Sequence, residues 1–305
     1  MKIAVQGLGR MGMQIAKKLV EDGHEVIALD LVETNVTEAV VHGCKPANNK
    51  QDVVNLFGSD QVVVWLMLPE NLVEEQVDDW SSLLPKESIL IDGGNSDFRN
   101  TAELNKKVSQ SNLNLIDIGV SGGVWGYENG FPLMCGSDST AAYQYIKPIL
   151  ETLIKPGGAY FLFGPSGSGH YVKMVHNAIE YGIMESLGEG FRLLHDGPYK
   201  INLAEAANLW QHHSVITSWL TDLSYQALVE NPELDGISGY VAESGEARWA
   251  LEVAEKNGFK LPSIQAAFDV RLASQKGGTN FATKVVAAQR NKFGNHNLNG
   301  EGAAK

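Results

Sequence analysis

The chain opens with a short apolar run, Ile3-Ala4-Val5, and soon reads Gly7-Leu8-Gly9-Arg10-Met11-Gly12 before a helix-like segment. The spacing Gly-x-Gly-x-x-Gly at a strand-to-helix junction is typical of a loop that binds the pyrophosphate of a dinucleotide. Its glycines allow a tight turn, close approach of backbone amides to phosphate, and close helix packing. The motif alone is weak evidence, and a plain tight turn is the alternative. The alternating pattern in which it stands favours dinucleotide binding.

Apolar runs alternate with helix-like segments through residues 1–164. The runs extend from Ile3 to Val5, Glu25 to Leu29, Val62 to Leu68, Ile89 to Asp92, Leu113 to Ile118 and Tyr160 to Phe163. Several are apolar throughout, as expected of strands that are buried on both faces. This alternation predicts a parallel, doubly wound α/β sheet.

The pattern changes at Gly164-Pro165-Ser166-Gly167-Ser168-Gly169, after which no convincing strand is found. Helical periodicity covers residues 168–195, 202–213, 216–229, 240–257, 263–277 and 280–292. We therefore predict a Rossmann-type dinucleotide-binding domain over residues 1–164. An all-helical domain over residues 165–305 would bind substrate, mediate self-association and end in a polar tail from Gly294.

Composition narrows the class of protein. A length of 305 residues suggests two domains, and a net charge of -12 argues against nucleic acid or anionic membranes as partners. No apolar run approaches the roughly 20 residues of a membrane span, and no secretion signal is recognisable. Cys44 and Cys135 lie far apart, and no cluster has metal-ligand spacing. These features predict a cytoplasmic protein without a metal.

Asp30 ends the second apolar run and bears on the choice of cofactor. A carboxylate there accepts hydrogen bonds from the adenosine ribose hydroxyls, whereas the 2′-phosphate of NADP would meet like charge. Since no Arg or Lys occurs from Leu31 to Cys44, NAD is favoured. Two alternatives are that Asp30 merely caps a helix and that Lys45 turns towards the phosphate. Further cofactor contacts are expected where the third run ends, at Met67-Leu68-Pro69.

A polar stripe lies in the segment from 168 to 195. It consists of Lys173, His176, Asn177, Glu180 and Tyr181, whose spacing puts them on one helical face. The flanking residues are apolar, which predicts a buried helix whose stripe lines a cavity. An ordinary solvated stripe is the alternative.

The residues of this stripe resemble a motif of a known enzyme family. Lys173-Met174-Val175-His176-Asn177, continued by Ile179-Glu180-Tyr181, resembles the substrate helix of the 6-phosphogluconate dehydrogenase family. Three further stretches agree: Ile91-Asp92-Gly93-Gly94-Asn95-Ser96, Gly119-Val120-Ser121-Gly122-Gly123, and Ala288-Gln289-Arg290-Asn291-Lys292-Phe293-Gly294-Asn295-His296. The related β-hydroxyacid dehydrogenases usually lack the His-Asn-x-x-Glu-Tyr continuation. A short helical domain and Asp30-Leu31 make the chain similar to the short, NAD-preferring branch.

The resemblance implies oxidation and decarboxylation of 6-phosphogluconate to ribulose 5-phosphate in the pentose phosphate pathway, with NAD as hydride acceptor. Lys173 would take the proton of the 3-hydroxyl and then polarise the new carbonyl. Glu180 would protonate C1 of the enol. Asn177 would orient the 3-hydroxyl and Lys173, while His176 and Tyr181 would bind carboxylate or phosphate oxygens.

Two loops are candidates for further contacts with substrate. Backbone amides of Ser121-Gly122-Gly123 would bind the substrate carboxylate as an anion nest, with a plain tight turn as the alternative. Asn95 follows a strand where nicotinamide and substrate should meet, with a turn-forming Asn as the alternative. Ser96 and Asp97 are expected to cap the next helix.

For the phosphate group, Arg271, Arg290 and His296 are the candidates. The resemblance implies that Arg290 and His296 come from a partner's C-terminal segment, so that a homo-oligomer completes each site. The alternative is that all three are surface charges. Two rival functions remain: a β-hydroxyacid dehydrogenase acting on another 3-hydroxy acid, and a catalytically inactive nucleotide-binding protein.

Overall fold

The computed structural model describes residues 1–299, and within them the chain divides by its contacts into two compact units. The first runs from Met1 to Lys173, and the second begins at Met174. Among the described residues, no helix has the length and apolar character needed to cross a membrane.

The first unit is built on a single sheet. Its strands are β1 (Lys2–Gln6), β2 (Glu25–Leu29), β3 (Lys45–Pro46), β4 (Val63–Leu66), β5 (Ile89–Asp92), β6 (Asn114–Val120), β7 (Leu133–Ser137) and β8 (Tyr160–Gly164). Helices α1 (Arg10–Glu21), α2 (Glu33–Val41), α3 (Lys50–Phe57), α4 (Glu70–Leu83), α5 (Phe98–Gln110), α6 (Gly126–Asn129) and α7 (Thr140–Leu153) connect them, with a 3₁₀ turn at Gly123–Trp125.

The strand order is β3-β2-β1-β4-β5-β6-β7-β8. From β1 the chain runs outwards through β2 and β3 and then crosses back to β4 on the other side of β1. The order of the strands therefore reverses between β1 and β4. That reversal is the point at which open α/β sheets bind ligands, at the carboxyl ends of the strands. Two apolar clusters form the core of this unit, one containing Ile3 and Trp65 and the other Ile27 and Trp80.

The second unit is helical in its described part, which ends at residue 299. It contains most of α8 (Ser168–His195), followed by α9 (Leu203–Gln211), α10 (Trp219–Glu230), α11 (Glu246–Lys256), α12 (Pro262–Ser274) and α13 (Phe281–Gly294). Its core includes Met184 and Phe191 of α8 and Val285 of α13. The predicted fold class, a doubly wound domain followed by a helical one, is confirmed.

Three details differ from the sequence-based expectation. The sheet is not wholly parallel, because β7 pairs antiparallel with β6. Strands β3 and β7 were missed: β3 has only two residues, and the Cys-Gly-Ser end of β7 has little strand propensity. The helix expected from residue 240 begins only at Glu246, because Gly245 has a φ of 106° and the preceding residues form a loop.

Candidate active site

The glycine-rich loop lies at the reversal point of the sheet. Gly7 has a φ of 91°, and its amide donates to the carbonyl oxygen of Leu29 at the end of β2. A Cβ on Gly7 would collide with the carbonyl oxygen of Met67, and one on Gly12 would collide with that of Gly7. A Cβ on Gly9 would meet nothing within 4 Å. Thus Gly7 and Gly12 allow close packing, while the backbone at Gly9 faces open space.

The three predicted cofactor contacts after β4, Met67, Leu68 and Pro69, differ in how close they lie to this loop. Met67 and Leu68 both lie against Gly7, and the amide of Met67 donates to the carbonyl oxygen of Gln6. Pro69 is the residue that precedes α4. The sequence placed these residues at the end of a strand, and the register of β4 on β1 brings the first two beside the glycine loop.

Asp30 holds the loop in shape. One carboxylate oxygen accepts a hydrogen bond from the amide of Leu8, and the other accepts from the amide of Val32 at 2.8 Å. The neighbouring Leu31 is 98% exposed. Lys45, considered above as a phosphate contact, instead has its ammonium 2.9 Å from Glu25 at the start of β2. The Asp30 carboxylate therefore stands beside the loop, while Lys45 pairs with Glu25 at the other end of β2.

The short loop after β5 carries Asn95, which is exposed although the residues that follow it, Ser96 and Asp97, are buried. Asp97 caps α5 as predicted, accepting a hydrogen bond from the amide of Arg99. Ser96 does not join the cap, because its hydroxyl donates to the buried carboxylate of Asp92 at 2.8 Å. The loop that presents Asn95 is thus tied to β5 on one side and to α5 on the other.

The Ser-Gly-Gly turn after β6 differs in part from the predicted anion nest. Gly122 and Gly123 have φ angles of 113° and 54°, a backbone path that glycine adopts without strain. The amide of Ser121, however, donates to the carbonyl oxygen of Pro132 at 3.0 Å. That amide is already hydrogen-bonded within the fold, so Ser121 itself can contribute to anion binding only through its side chain.

The first turn of α8 is anchored to β6. Asp117, fully buried, accepts hydrogen bonds from the amides of Gly167 and His170, at 2.7 and 2.8 Å. A Cβ on Gly119 would collide with the Cβ of Lys173. The position of Lys173 therefore depends on a capped helix start and on a glycine beneath its side chain. The role of Asp117 was not predicted, since nothing in the sequence distinguishes it from an ordinary core polar residue.

Farther along α8, the stripe enters a polar cluster within the second unit. The side-chain amide of Asn177 donates to Glu246, at the start of α11, at 2.7 Å. Tyr181 is buried, and its hydroxyl lies 3.3 Å from the hydroxyl of Ser244. Side chains of His176 and Glu180 are 40% and 23% exposed. These two are partly open to solvent, while Asn177 and Tyr181 are held by the segment that leads into α11.

Both candidate arginines are buried in this cluster. Arg271, 2% exposed, has its guanidinium carbon 3.2 Å from the centre of the Tyr181 ring. Arg290 is 7% exposed, and burial lowers its pKa to about 10, with Arg271 adding to the shift. Glu180 and Glu246 oppose this shift on both arginines. These arginines are therefore not surface charges, and four charged groups share one region.

The C-terminal segment contacts its own unit as far as it is described. Leu298 accepts hydrogen bonds through its carbonyl oxygen from the amide and the hydroxyl of Ser238. His296 packs edge-on against Phe293, with ring centres 5.9 Å apart. Arg271 of the same chain acts electrostatically on Arg290. Contributions of Arg290 and His296 to the site of a neighbouring subunit stay predictions.

The buried-helix expectation for α8 holds on one side only. Met174, Ala178 and Met184 are buried, but Val175, Ile179 and Ile183 are 36%, 51% and 43% exposed. The last three repeat every four residues and so form a stripe along the helix, which we call the open apolar stripe. The sequence shows that the helix is apolar on several sides, but not which sides the chain itself covers.

Comparison with known proteins agrees with this geometry. Two family models match: the NAD binding domain of 6-phosphogluconate dehydrogenase over residues 2–162 and its C-terminal domain over residues 169–302. An NAD(+)-dependent, decarboxylating 6-phosphogluconate dehydrogenase of Haloferax volcanii is 35% identical over 300 residues, covering 98% of each chain. The chain belongs to the 6-phosphogluconate dehydrogenase family.

Solved structures show the same fold. A 6-phosphogluconate dehydrogenase of Plasmodium falciparum is similar with a TM-score of 0.80 at 24% identity, covering all of this chain but 67% of the other. A 3-hydroxyisobutyrate dehydrogenase of Mycobacterium tuberculosis has a TM-score of 0.70 at 22% identity, covering 93% and 97%. As a member of the 6-phosphogluconate dehydrogenase family, the chain is a dehydrogenase with a domain for a nicotinamide dinucleotide.

The residues of the loop fit such a cofactor. Helix α1 begins with Gly9 as its N-cap and has no side-chain cap, nor an acidic residue in its first turn. An uncapped helix start with open space before it suits a pyrophosphate, whose charge the amides and the helix dipole stabilise.

Glu246 contacts the predicted stripe, and sequence reasoning missed it. It follows Ser244-Gly245 and opens a helix, where an acidic residue commonly interacts favourably with the helix dipole. That ordinary interpretation hides its contact with Asn177, which only the fold reveals.

Proposed function

We propose that this dehydrogenase oxidises and decarboxylates 6-phosphogluconate to ribulose 5-phosphate and carbon dioxide, reducing NAD. The observation that carries the proposal lies along α8. Lys173, Asn177 and Glu180 follow one another on one helical face. In the second unit Asn177 donates to Glu246, and both Glu180 and Glu246 act electrostatically on two buried arginines, Arg271 and Arg290.

The bound nicotinamide would accept a hydride from C3 of the substrate. Lys173, as a neutral amine, takes the proton of the 3-hydroxyl, and the C3–O bond becomes a carbonyl. As an ammonium group, Lys173 then donates its proton to that carbonyl oxygen, which accepts the electrons released when the C1–C2 bond breaks, so that carbon dioxide and an enol result. Glu180 donates a proton to the enol carbon while neutral Lys173 takes back the proton of the enol hydroxyl, and the re-formed carbonyl gives a ketose phosphate.

The paired arginines favour a phosphorylated substrate. Guanidinium groups bind phosphate oxygens in a bidentate manner, and burial strengthens the attraction by excluding water. A 3-hydroxy acid without phosphate has no second anion for Arg271 and Arg290. This separates the proposal from its rival, a β-hydroxyacid dehydrogenase, which the fold alone does not exclude.

NAD is the cofactor that the loop favours. The Asp30 carboxylate stands beside the loop, Leu31 offers no positive charge, and Lys45 is held by Glu25. A 2′-phosphate placed near Asp30 would meet a like charge with neither of these residues offsetting it.

We also infer self-association through the open apolar stripe of α8. Three large aliphatic side chains at helical spacing are exposed in the single chain, and a second copy would remove them from water. In this arrangement, His296 of one copy would approach the site of another.

One assay tests the reaction. The purified protein is supplied with 6-phosphogluconate or gluconate, each with NAD or NADP, while reduced nicotinamide and carbon dioxide are measured together. We expect equal amounts of both products with 6-phosphogluconate and NAD. Turnover of gluconate at the same kcat/KM, or reduced nicotinamide without carbon dioxide, would contradict the proposal.

A complementation assay tests the arrangement of the site. Lys173→Ala and Arg290→Ala proteins are unfolded and refolded together to form mixed oligomers. If Arg290 of one chain completes the site of its neighbour, as the family resemblance implies, we expect mixed oligomers to regain part of the activity with a normal KM. Mixtures that stay inactive although the subunits exchange would show that each site takes Arg290 from its own chain.

A further inference from the structure

Glu246 is a buried carboxylate for which the proposed reaction has no role. It is 3% exposed, and its Oε1 accepts a hydrogen bond from Nδ2 of Asn177 at 2.7 Å. An ionised carboxylate has acceptors only, whereas an amide side chain has a donor end and an acceptor end. The NH₂ group of Asn177 must therefore face Glu246, which fixes the direction of the whole amide.

The other end of that amide meets His176. The Oδ1 atom of Asn177 lies 2.9 Å from Nδ1 of His176. Since an amide oxygen only accepts, Nδ1 must carry the hydrogen. Oε2 of Glu180 lies 4.0 Å from the same Nδ1, which is beyond hydrogen-bond distance, so Asn177 is the hydrogen-bond partner of this atom. In the neutral ring, Nε2 is then the lone-pair acceptor.

We propose that Glu246 is a positioning residue that acts through Asn177 to select the Nδ1–H tautomer of His176. A partner of Nε2 in the neutral ring must then be a donor, such as a sugar hydroxyl. Ionised carboxylate and phosphate groups offer no donor. His176 is thus assigned to a substrate hydroxyl, in place of the carboxylate or phosphate oxygens expected from the sequence. The identity of that hydroxyl rests on the proposed function, but the tautomer does not.

The test measures the tautomer directly in the enzyme without substrate. Protein labelled with ¹⁵N-histidine is examined by long-range ¹H–¹⁵N NMR at a pH where the ring is neutral, and a His176→Asn variant assigns the signals. Glu246→Gln replaces the obligatory acceptor by an amide that can face Asn177 with either end. Glu180→Gln is the matched control, because it changes the other carboxylate near His176 but leaves the contact between Asn177 and Glu246.

We expect the Nδ1–H form to exceed the Nε2–H form about tenfold in the wild type, the effect of one ordinary hydrogen bond. Glu246→Gln should remove that excess, whereas Glu180→Gln should keep it. If Glu246→Gln does not fold, Asn177→Ala should remove the excess in its place. A wild-type ring in the Nε2–H form, an unchanged ratio in both Glu246→Gln and Asn177→Ala, or loss of the excess in Glu180→Gln would overturn the proposal.

Activity assays distinguish this proposal from the proposed function. A protein that shows the expected tautomers but does not turn over 6-phosphogluconate keeps the role of Glu246 and loses the substrate. An enzyme that turns over 6-phosphogluconate but has His176 in the Nε2–H form keeps the proposed function and loses the role of Glu246. In an active enzyme, Glu246→Gln should lower kcat/KM for the sugar acid about tenfold and leave KM for NAD unchanged.

Discussion

Replacing Asp30 by Asn and Leu31 by Arg should raise the NADP/NAD ratio of kcat/KM at least tenfold. Unit charges about 4 Å apart interact by about 1 kcal/mol in water and by about 4 kcal/mol at an effective dielectric constant near 20. Asp30 is half-buried, so the repulsion it exerts on a 2′-phosphate lies between these limits. A tenfold change in the ratio needs only about 1.4 kcal/mol.

Any loss of binding that the substitutions cause equally for NAD and NADP cancels in this ratio. An asparagine in place of Asp30 would keep one acceptor for the amides of Leu8 and Val32 and lose the other, which weakens binding of both cofactors alike. Leu31 is 98% exposed, so arginine there disturbs no core contact. Steady-state rates with saturating 6-phosphogluconate and varied NAD or NADP give the ratio. Leu31→Gln alone is the control, expected to shift it little.

The refuting result is an unchanged ratio in a variant whose melting temperature and kcat with NAD match those of the wild type. Recognition of the 2′-hydroxyl would then lie outside the end of β2, and the contact between Asp30 and Leu8 would be purely structural.

Three other outcomes are expected. Lys173→Ala should lower kcat by about 10² to 10⁴, the range for loss of a general acid or base, with NAD affinity unchanged by fluorescence titration; near-normal turnover would remove Lys173 from the mechanism. Glu180→Gln should slow conversion of a supplied 3-keto intermediate, and an effect on KM alone would make Glu180 a binding residue. Burial, with Glu189 adding to it and Arg271 opposing, raises the pKa of Glu185 from 4.5 to about 7. The stability gained by its neutral form is present below the ordinary pKa and lost as pH rises through about 7. Urea unfolding should therefore show wild-type stability falling over that range relative to Glu185→Gln, and parallel pH curves would contradict the assignment.

Local patterns were enough to predict the architecture of the first unit. The glycine loop, the buried runs and the change at Gly164 are short-range signals, because strand burial and turn geometry act over a few residues. Strand β7 was missed because its Cys-Gly-Ser end has little local strand propensity, and only its pairing with β6 reveals it.

The polar stripe of α8 was likewise visible from spacing alone. Lys173, Asn177 and Glu180 must share a face in any helix that contains them. Arg271 and Arg290 were identified as the arginines of interest through the family resemblance. Their burial was not predictable, because an isolated Arg is usually exposed.

What the sequence by itself determined is the order of elements and the set of residue types able to carry the chemistry. Only the tertiary structure decided which of them meet. Glu246 stands 69 residues beyond Asn177, and no local signal separates it from an ordinary acidic residue at a helix start. Ser121 loses its amide to Pro132. Hydrogen-bond partners of this kind depend on how segments that are distant in sequence pack together, and local sequence patterns do not specify that packing.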